Sequence, residues 1–154
     1  MSIEIRRAGA DSLPIMHAMN RLYGEAFDDR DTYCAQPPTD DYLRDLLDDA
    51  CFIALAAIHE GNVIGALTAY ELRKFERQRS EIYIYDLAVR ASFRRQGVAT
   101  ALIETTRDIA ARRGAWVVMI QADTNEEDQP AIALYSKLGK REAVLHFDIA
   151  VDDA

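Results

Sequence analysis

The 154-residue chain has two cysteines, Cys34 and Cys51, four prolines, one tryptophan and three histidines. Two cysteines and scattered single histidines make neither a disulfide framework nor a four-ligand zinc site, so reduced thiols and no metal are expected. No stretch approaches the roughly 20 apolar residues of a membrane helix. The opening "MSIEIRRAGA" carries Glu4, Arg6 and Arg7 where a secretory leader needs an apolar run, so a cytoplasmic protein with no membrane partner is expected. Cations are outnumbered: 18 Lys and Arg stand against 26 Asp and Glu, a net charge of −8 that opposes binding to a phosphate backbone and argues against nucleic acid. The chain also lacks a Gly-Lys-Ser/Thr phosphate loop and the three spaced glycines of a dinucleotide fingerprint. No repeat, low-complexity tract or Gly/Ser linker interrupts it, which predicts one domain over residues 1–154.

The charge that is present is segregated. Glu25 to Asp49 holds nine acids against Arg30 and Arg44, a local −7, whereas Arg90 to Arg113 holds six arginines against Glu104 and Asp108, a local +4. Either run alone reads as a solvated face; together they suit a protein that meets a cation and an anion.

Periodicity supplies the order of elements. "IEIRRA" alternates like a short strand; Asp11 or Ser12 caps a helix with apolar residues at Leu13, Met16, Met19, Leu22, Tyr23 and Phe27. Past the break at "QPP", a second helix starts near Thr39. "CFIALAAI" and "NVIGALTAYEL" are joined by "HEGN" as a hairpin, and "EIYIYDLAV" reads as a central strand. A helix beginning at Gly97 and ending at Gly114, the strand "AWVVMIQA", the acidic loop "DTNEEDQ", the helix "PAIALYSKL" and a last strand "AVLHFDIAV" complete the chain. The order β-α-α-β-β-β-α-β-α-β predicts a mixed α/β fold, a mixed sheet with helices on both faces, parallel in its second half.

Three features bear on one place. Arg94-Arg95-Gln96-Gly97-Val98-Ala99 is an Arg-x-x-Gly-x-Ala turn after the central strand, where amides at a helix start can cradle a diphosphate. A nucleotide-bearing carrier such as coenzyme A suits it better than ATP or NAD. Asp86, a carboxylate within "IYIYDLAV", is a candidate general base because burial raises its pKa; the plainer reading is a structural carboxylate bonded to backbone amides. Tyr135 in "ALYSKLG" is a core aromatic or a proton donor to a leaving group. Trp116 and Met119 read as packing. Cys34, with no neighbouring histidine, reads as an idle thiol, and His17, His59 and His146 stand alone.

The strand "IYDLAV", the turn "RRQGVA" and the helix "PAIALYSKLGKR" resemble, in order and spacing, the acetyl-CoA-binding strand, pyrophosphate loop and helix of GNAT-type N-acetyltransferases. More narrowly, "QPPTDDYLRDLL", "FIALAA", "AYELRKFERQRSEIYIYDLAV" and "AIALYSKLGKREAVLHFDI" resemble the small aminoglycoside 3-N-acetyltransferases of the gentamicin-acetylating group. The resemblance implies a GNAT fold with acetyl-CoA as co-substrate. It places the backbone of Arg94, Arg95, Gln96, Gly97, Val98, Ala99 and Thr100 around the pyrophosphate, and that of Leu87, Ala88 and Val89 along the pantetheine arm. It sets Tyr135 near the sulfur, and such enzymes are commonly homodimers. The loop "ADTNEEDQPA" is longer than in the resistance enzymes, which leaves antibiotic preference open.

The expected activity is therefore acetyl transfer to an amine of a polycationic small molecule, with an aminoglycoside 3-amino group first. Asp86 would deprotonate the amine, Leu87 or Val89 N–H would meet the oxyanion, and Tyr135 would protonate the thiolate. Glu71, Glu81 and Asp123 are the candidate acceptor-binding acids. A polyamine or other small amine is the alternative acceptor, and a non-catalytic acetyl-CoA-binding regulatory module the alternative class.

Overall fold

The computed structural model describes residues 2–152. The chain divides into two compact units, Met1–Gln121 and Ala122–Ala154. The first contains β1 (Glu4–Arg7), α1 (Leu13–Ala26), α2 (Arg30–Tyr33), α3 (Asp40–Asp48), β2 (Phe52–His59), β3 (Asn62–Arg73), β4 (Ser80–Val89), α4 (Val98–Arg113) and β5 (Ala115–Ile120). The five strands form one sheet in sequence order, antiparallel from β1 to β4 and parallel between β4 and β5. The architecture is the expected mixed α/β fold.

Burial of β2 explains its unbroken apolar run. Phe52, Ala54, Ala56 and Ile58 pack with Met16, Met19, Leu22 and Tyr23 of α1 and Leu43 of α3. The alternate residues Ile53, Leu55 and Ala57 are equally buried, so both faces are covered. The second cover is α4, which approaches closely at Gly65: a Cβ there would lie 2.9 Å from Val98 Cγ1 and 3.0 Å from Ala57 Cβ. Only glycine lets the start of α4 close on β3.

The hairpin turn is Glu60-Gly61, both at positive φ (49° and 77°), the geometry that matches strand twist. Thr39 caps α3 by accepting the Tyr42 N–H at 3.2 Å. The short helix α2, ahead of the "QPP" break, is an element the sequence reading did not assign; it is capped by the Asp29 carboxylate accepting the Thr32 N–H at 3.2 Å. Trp116 corrects the expectation of packing: it is 54% exposed, with the Arg79 guanidinium 4.3 Å above its ring.

The second unit contains α5 (Gln129–Leu138), preceded by an acidic turn in which Asn125 Oδ1 accepts the Asp128 N–H at 3.0 Å. The expected last strand is absent: residues 140–150 form neither helix nor strand. A β-rich composition becomes a strand only where a neighbouring strand supplies hydrogen-bond partners.

Candidate active site

Strand β5 pairs with β4 only from Ser80 to Ile84. From Tyr85 to Val89, β4 therefore keeps β3 on one side and, among the described residues, pairs with no strand on the other. This free edge includes Leu87, Ala88 and Val89, and its unpaired peptide groups can bind an extended amide chain as an added strand. The ladder to β3 slips at the same point, since Thr68 faces Asp86 while Ala69 faces Ile84, leaving Tyr85 without a partner. Such a bulge re-aims the side chains around it.

Asp86 is half-buried at this bulge, and its Oδ1 accepts the Tyr33 hydroxyl at 2.9 Å. Burial pushes the carboxyl above its ordinary value, and the Tyr33 hydrogen bond opposes but does not cancel that rise. Tyr70, Tyr85 and Tyr83 form a wall on β3 and β4, with the Tyr70 and Tyr85 rings edge to face at 6.1 Å and Tyr83 5.8 Å from Tyr85. Burial, and then the nearby Asp86 charge with neighbouring tyrosines, raises the pKa of Tyr70 and Tyr83, so these hydroxyls stay protonated. Aromatic faces around a carboxylate suit an ammonium ion.

Beyond Val89 the chain turns into α4. Arg95 and Gly97 both have positive φ, 61° and 80°, and no side chain caps the helix. The first intrahelical bond runs from Ala101 N–H to the Gly97 carbonyl at 3.0 Å, so the amides of Val98, Ala99 and Thr100 have no acceptor within the helix. The Arg94 Nε donates to the Val89 carbonyl at 3.2 Å and Gln96 Nε2 to the Ser92 carbonyl at 3.3 Å, which hold the turn against the strand end. Free amides, the positive end of the helix dipole and arginines together fit a diphosphate.

The family profile described as Acetyltransferase (GNAT) family matches residues 16–140. The chain belongs to the GNAT acetyltransferases. An aminoglycoside acetyltransferase, HMB0005, from an uncultured soil metagenomic sample is 53% identical, with a TM-score of 0.97 over 99% of this chain and 100% of that one. A second soil metagenomic aminoglycoside acetyltransferase, meta-AAC0020, solved with trehalose, is 29% identical, with a TM-score of 0.88 over 97% of both chains. The same enzyme solved with sisomicin is 28% identical at the same score and coverage. A comparison with curated proteins found no match.

Within this GNAT chain the remaining expected site residues divide. Tyr135 lies on α5 in the second unit; burial, then the Asp128 carboxylate, pushes its hydroxyl up to about 12. Asp123 is exposed in the acidic loop of that unit, and its N–H donates to Asp128 Oδ2 at 3.0 Å. Glu71 and Glu81 already have partners. Glu71 accepts the Ser80 hydroxyl at 2.7 Å and Arg113 Nη1 at 2.8 Å, whereas Glu81 accepts Trp116 Nε1 at 3.0 Å and Lys74 Nζ at 3.4 Å. Burial alone would raise the Glu71 carboxyl, but the Ser80 and Arg113 hydrogen bonds and the Arg113 and Arg73 charges outweigh it and set it below its ordinary value.

Sequence reasoning missed Tyr33, Tyr70, Tyr83 and Tyr85. For Tyr83 and Tyr85 a signal existed: tyrosines two apart in "IYIYD" beside the carboxylate, alternating with buried Ile82 and Ile84. For Tyr33 there was none, because its position follows from α2 folding under α1.

Proposed function

We propose that this GNAT chain is an acetyl-CoA-dependent N-acetyltransferase acting on an aminoglycoside, at the 3-amino group, and so conferring resistance in the cytoplasm. In this reading the chain acts as a homodimer, and its two units serve one catalytic domain. The observation that carries it is the Asp86 carboxylate, raised by burial, held by Tyr33 and flanked by the tyrosine wall, on the strand whose free edge leads to the Gly97 turn. The aminoglycoside acceptor gains support from HMB0005 at 53% identity.

The 3-amino group arrives largely as an ammonium ion and must lose a proton before it can attack. The Asp86 carboxylate takes that proton, directly or through one water, and the neutral amine attacks the thioester carbonyl. An amide N–H of Leu87 or Val89 on the free edge meets the developing oxyanion. The new C–N bond forms, the C–S bond breaks, and the departing thiolate takes a proton from the Tyr135 hydroxyl. The Arg94–Thr100 turn binds the pyrophosphate of acetyl-CoA. Asp123, with Glu71 and Glu81 where their present partners release them, offers negative charge to the other amines of the acceptor. The acidic stretch from Glu25 to Asp49 steers the polycation by its long-range field.

The test is thiol release from acetyl-CoA with gentamicin, sisomicin, spermidine and peptide N-termini as acceptors, with the acetylated nitrogen of the product located by NMR. Turnover confined to aminoglycosides with the acetyl group on the 3-amino nitrogen is expected. Preference for spermidine would assign a polyamine acceptor, and acetyl-CoA binding without turnover on any amine would assign a regulatory module.

A further inference from the structure

The register of the ladders fixes which side chains of β2, β3 and β4 share a face. Phe52 faces Tyr70, Tyr70 faces Tyr83, and Thr68 faces Asp86. Thr68 and Tyr70 are two apart on β3, so Phe52, Tyr70, Tyr83 and Asp86 lie on one side of the sheet. Tyr83 and Asp86 are three apart on β4, a spacing that regular alternation sends to opposite sides; the extra residue at Tyr85 brings the carboxylate round to the tyrosines. Tyr85 joins the same side, since its ring lies 6.1 Å from that of Tyr70 and 5.8 Å from that of Tyr83. Glu71, next to Tyr70 on β3, falls on the other side, where Ser80 and Arg113 of α4 hold it.

These rings are fixed before any acceptor arrives. Phe52 is buried and backs Tyr70 with 5.6 Å between ring centroids, and the Tyr83 hydroxyl donates to Gln121 Oε1 at 2.9 Å. Tyr33 is tied to Asp86. Tyr70 and Tyr85, 39% and 66% exposed, form the open part of the surface. Every one of these residues belongs to the unit Met1–Gln121. A carboxylate is enough to attract an ammonium ion, so the broad ring surface beside Asp86 calls for a ligand with an apolar face of its own. A saturated ring that carries amines has such a face in its C–H groups, in one rigid shape; a linear polyamine must first be ordered into one. Tyrosine matches it with a large contact area at little cost in rotamer freedom.

We propose that Tyr70 and Tyr85 are specificity-determining residues, which stack on the C–H face of an aminocyclitol or amino-sugar ring and so present a ring-borne amine to Asp86. A linear polyamine meets the carboxylate but gains nothing from the rings. The inference deepens the acceptor reading of the proposed function and rests on it for the role of Asp86.

Calorimetry with coenzyme A present, so that no transfer occurs, measures acceptor binding to wild type, Tyr70→Leu, Tyr85→Leu and Tyr85→Trp, with circular dichroism as the check on folding. Each leucine variant should raise the Kd of sisomicin about tenfold, the upper range for an aromatic contact. The factor should be the same at low and high salt, because stacking is not screened, and the Kd of spermidine should not change. Tyr85→Trp keeps a ring and should keep most of the sisomicin affinity. An equal loss for spermidine, or unchanged sisomicin affinity in a folded Tyr85→Leu, overturns the inference; Tyr85 is the more exposed ring, so this variant decides even where Tyr70→Leu fails to fold. A second measurement needs no variant: NMR titration of the wild type with 2-deoxystreptamine and with 1,3-diaminopropane, which carry two amines in the same relation on a ring and on an open chain. Tighter binding of the cyclitol is expected, and equal or weaker binding overturns the inference. No readout depends on turnover. Ring-selective binding without acetyl transfer would fail the proposed chemistry alone, and acetyl transfer to sisomicin with unaltered binding in the leucine variants would fail this inference alone.

Discussion

The Tyr33 hydroxyl donates to Asp86 Oδ1 at 2.9 Å, tying a four-residue helix to the bulge of the central strand. That bond opposes the rise that burial imposes on the Asp86 carboxyl. Tyr33→Phe removes it, so the acid limb of kcat/KM should move to higher pH while the plateau is nearly kept. Asp86→Asn removes the base itself and should lower kcat by about 10²- to 10⁴-fold. A pH–rate profile of the two variants beside wild type checks both.

Asp86 also carries a stability signature. Its folded-state pKa is raised, so the ionised carboxylate disfavours the folded state once pH rises through that value. Asp86→Asn should therefore melt higher than wild type at pH 7, with the advantage shrinking as the pH is lowered. Thermal melts across that range measure it.

The Glu71 carboxyl has the opposite sign. It lies below its ordinary value, so its pairing with Ser80 and Arg113 stabilises the fold above the ordinary carboxyl range and is lost as pH falls through the folded value. Glu71→Gln should cost about 2 kcal/mol at neutral pH in urea titrations, a loss typical of a charge-assisted hydrogen bond, and nearly nothing in strong acid. Unchanged stability with a raised acceptor KM would assign the carboxylate to the acceptor instead.

At Gly97, φ is +80° and a Cβ would meet nothing within 4 Å. The cost of Gly97→Val to folding is thus backbone strain, about 1–2 kcal/mol for a left-handed L-residue, rather than a clash. Calorimetry should show a folded protein with weakened coenzyme A binding. Unchanged affinity would move the pyrophosphate away from this turn.

Tyr135→Phe keeps the ring and removes the proton. With the hydroxyl pushed up to about 12, the donor stays protonated throughout the working range. The variant should lose about 10² in kcat, with acetyl-CoA affinity nearly unchanged, and the wild type should show no alkaline fall from this group. Steady-state kinetics and calorimetry on the same preparations check the split.

Local signals determined much of this protein. Glycine at 97 and 114 brackets α4 because left-handed backbone is strained for other residues, Glu60-Gly61 makes the hairpin, and the run "FIALAAI" specifies a strand buried on both faces. Asp86 stood out because a carboxylate in an apolar strand is costly without a purpose. Tertiary structure decided what depends on contacts distant in sequence. It brought Tyr33 to Asp86 across 53 residues and engaged Glu71 with Arg113 across 42. It also ended the β4–β5 ladder at Ile84, so that Leu87 to Val89 have a free edge. For residues 143–151 composition gave a strand propensity but no partner, and a strand forms only where another backbone completes its hydrogen bonds.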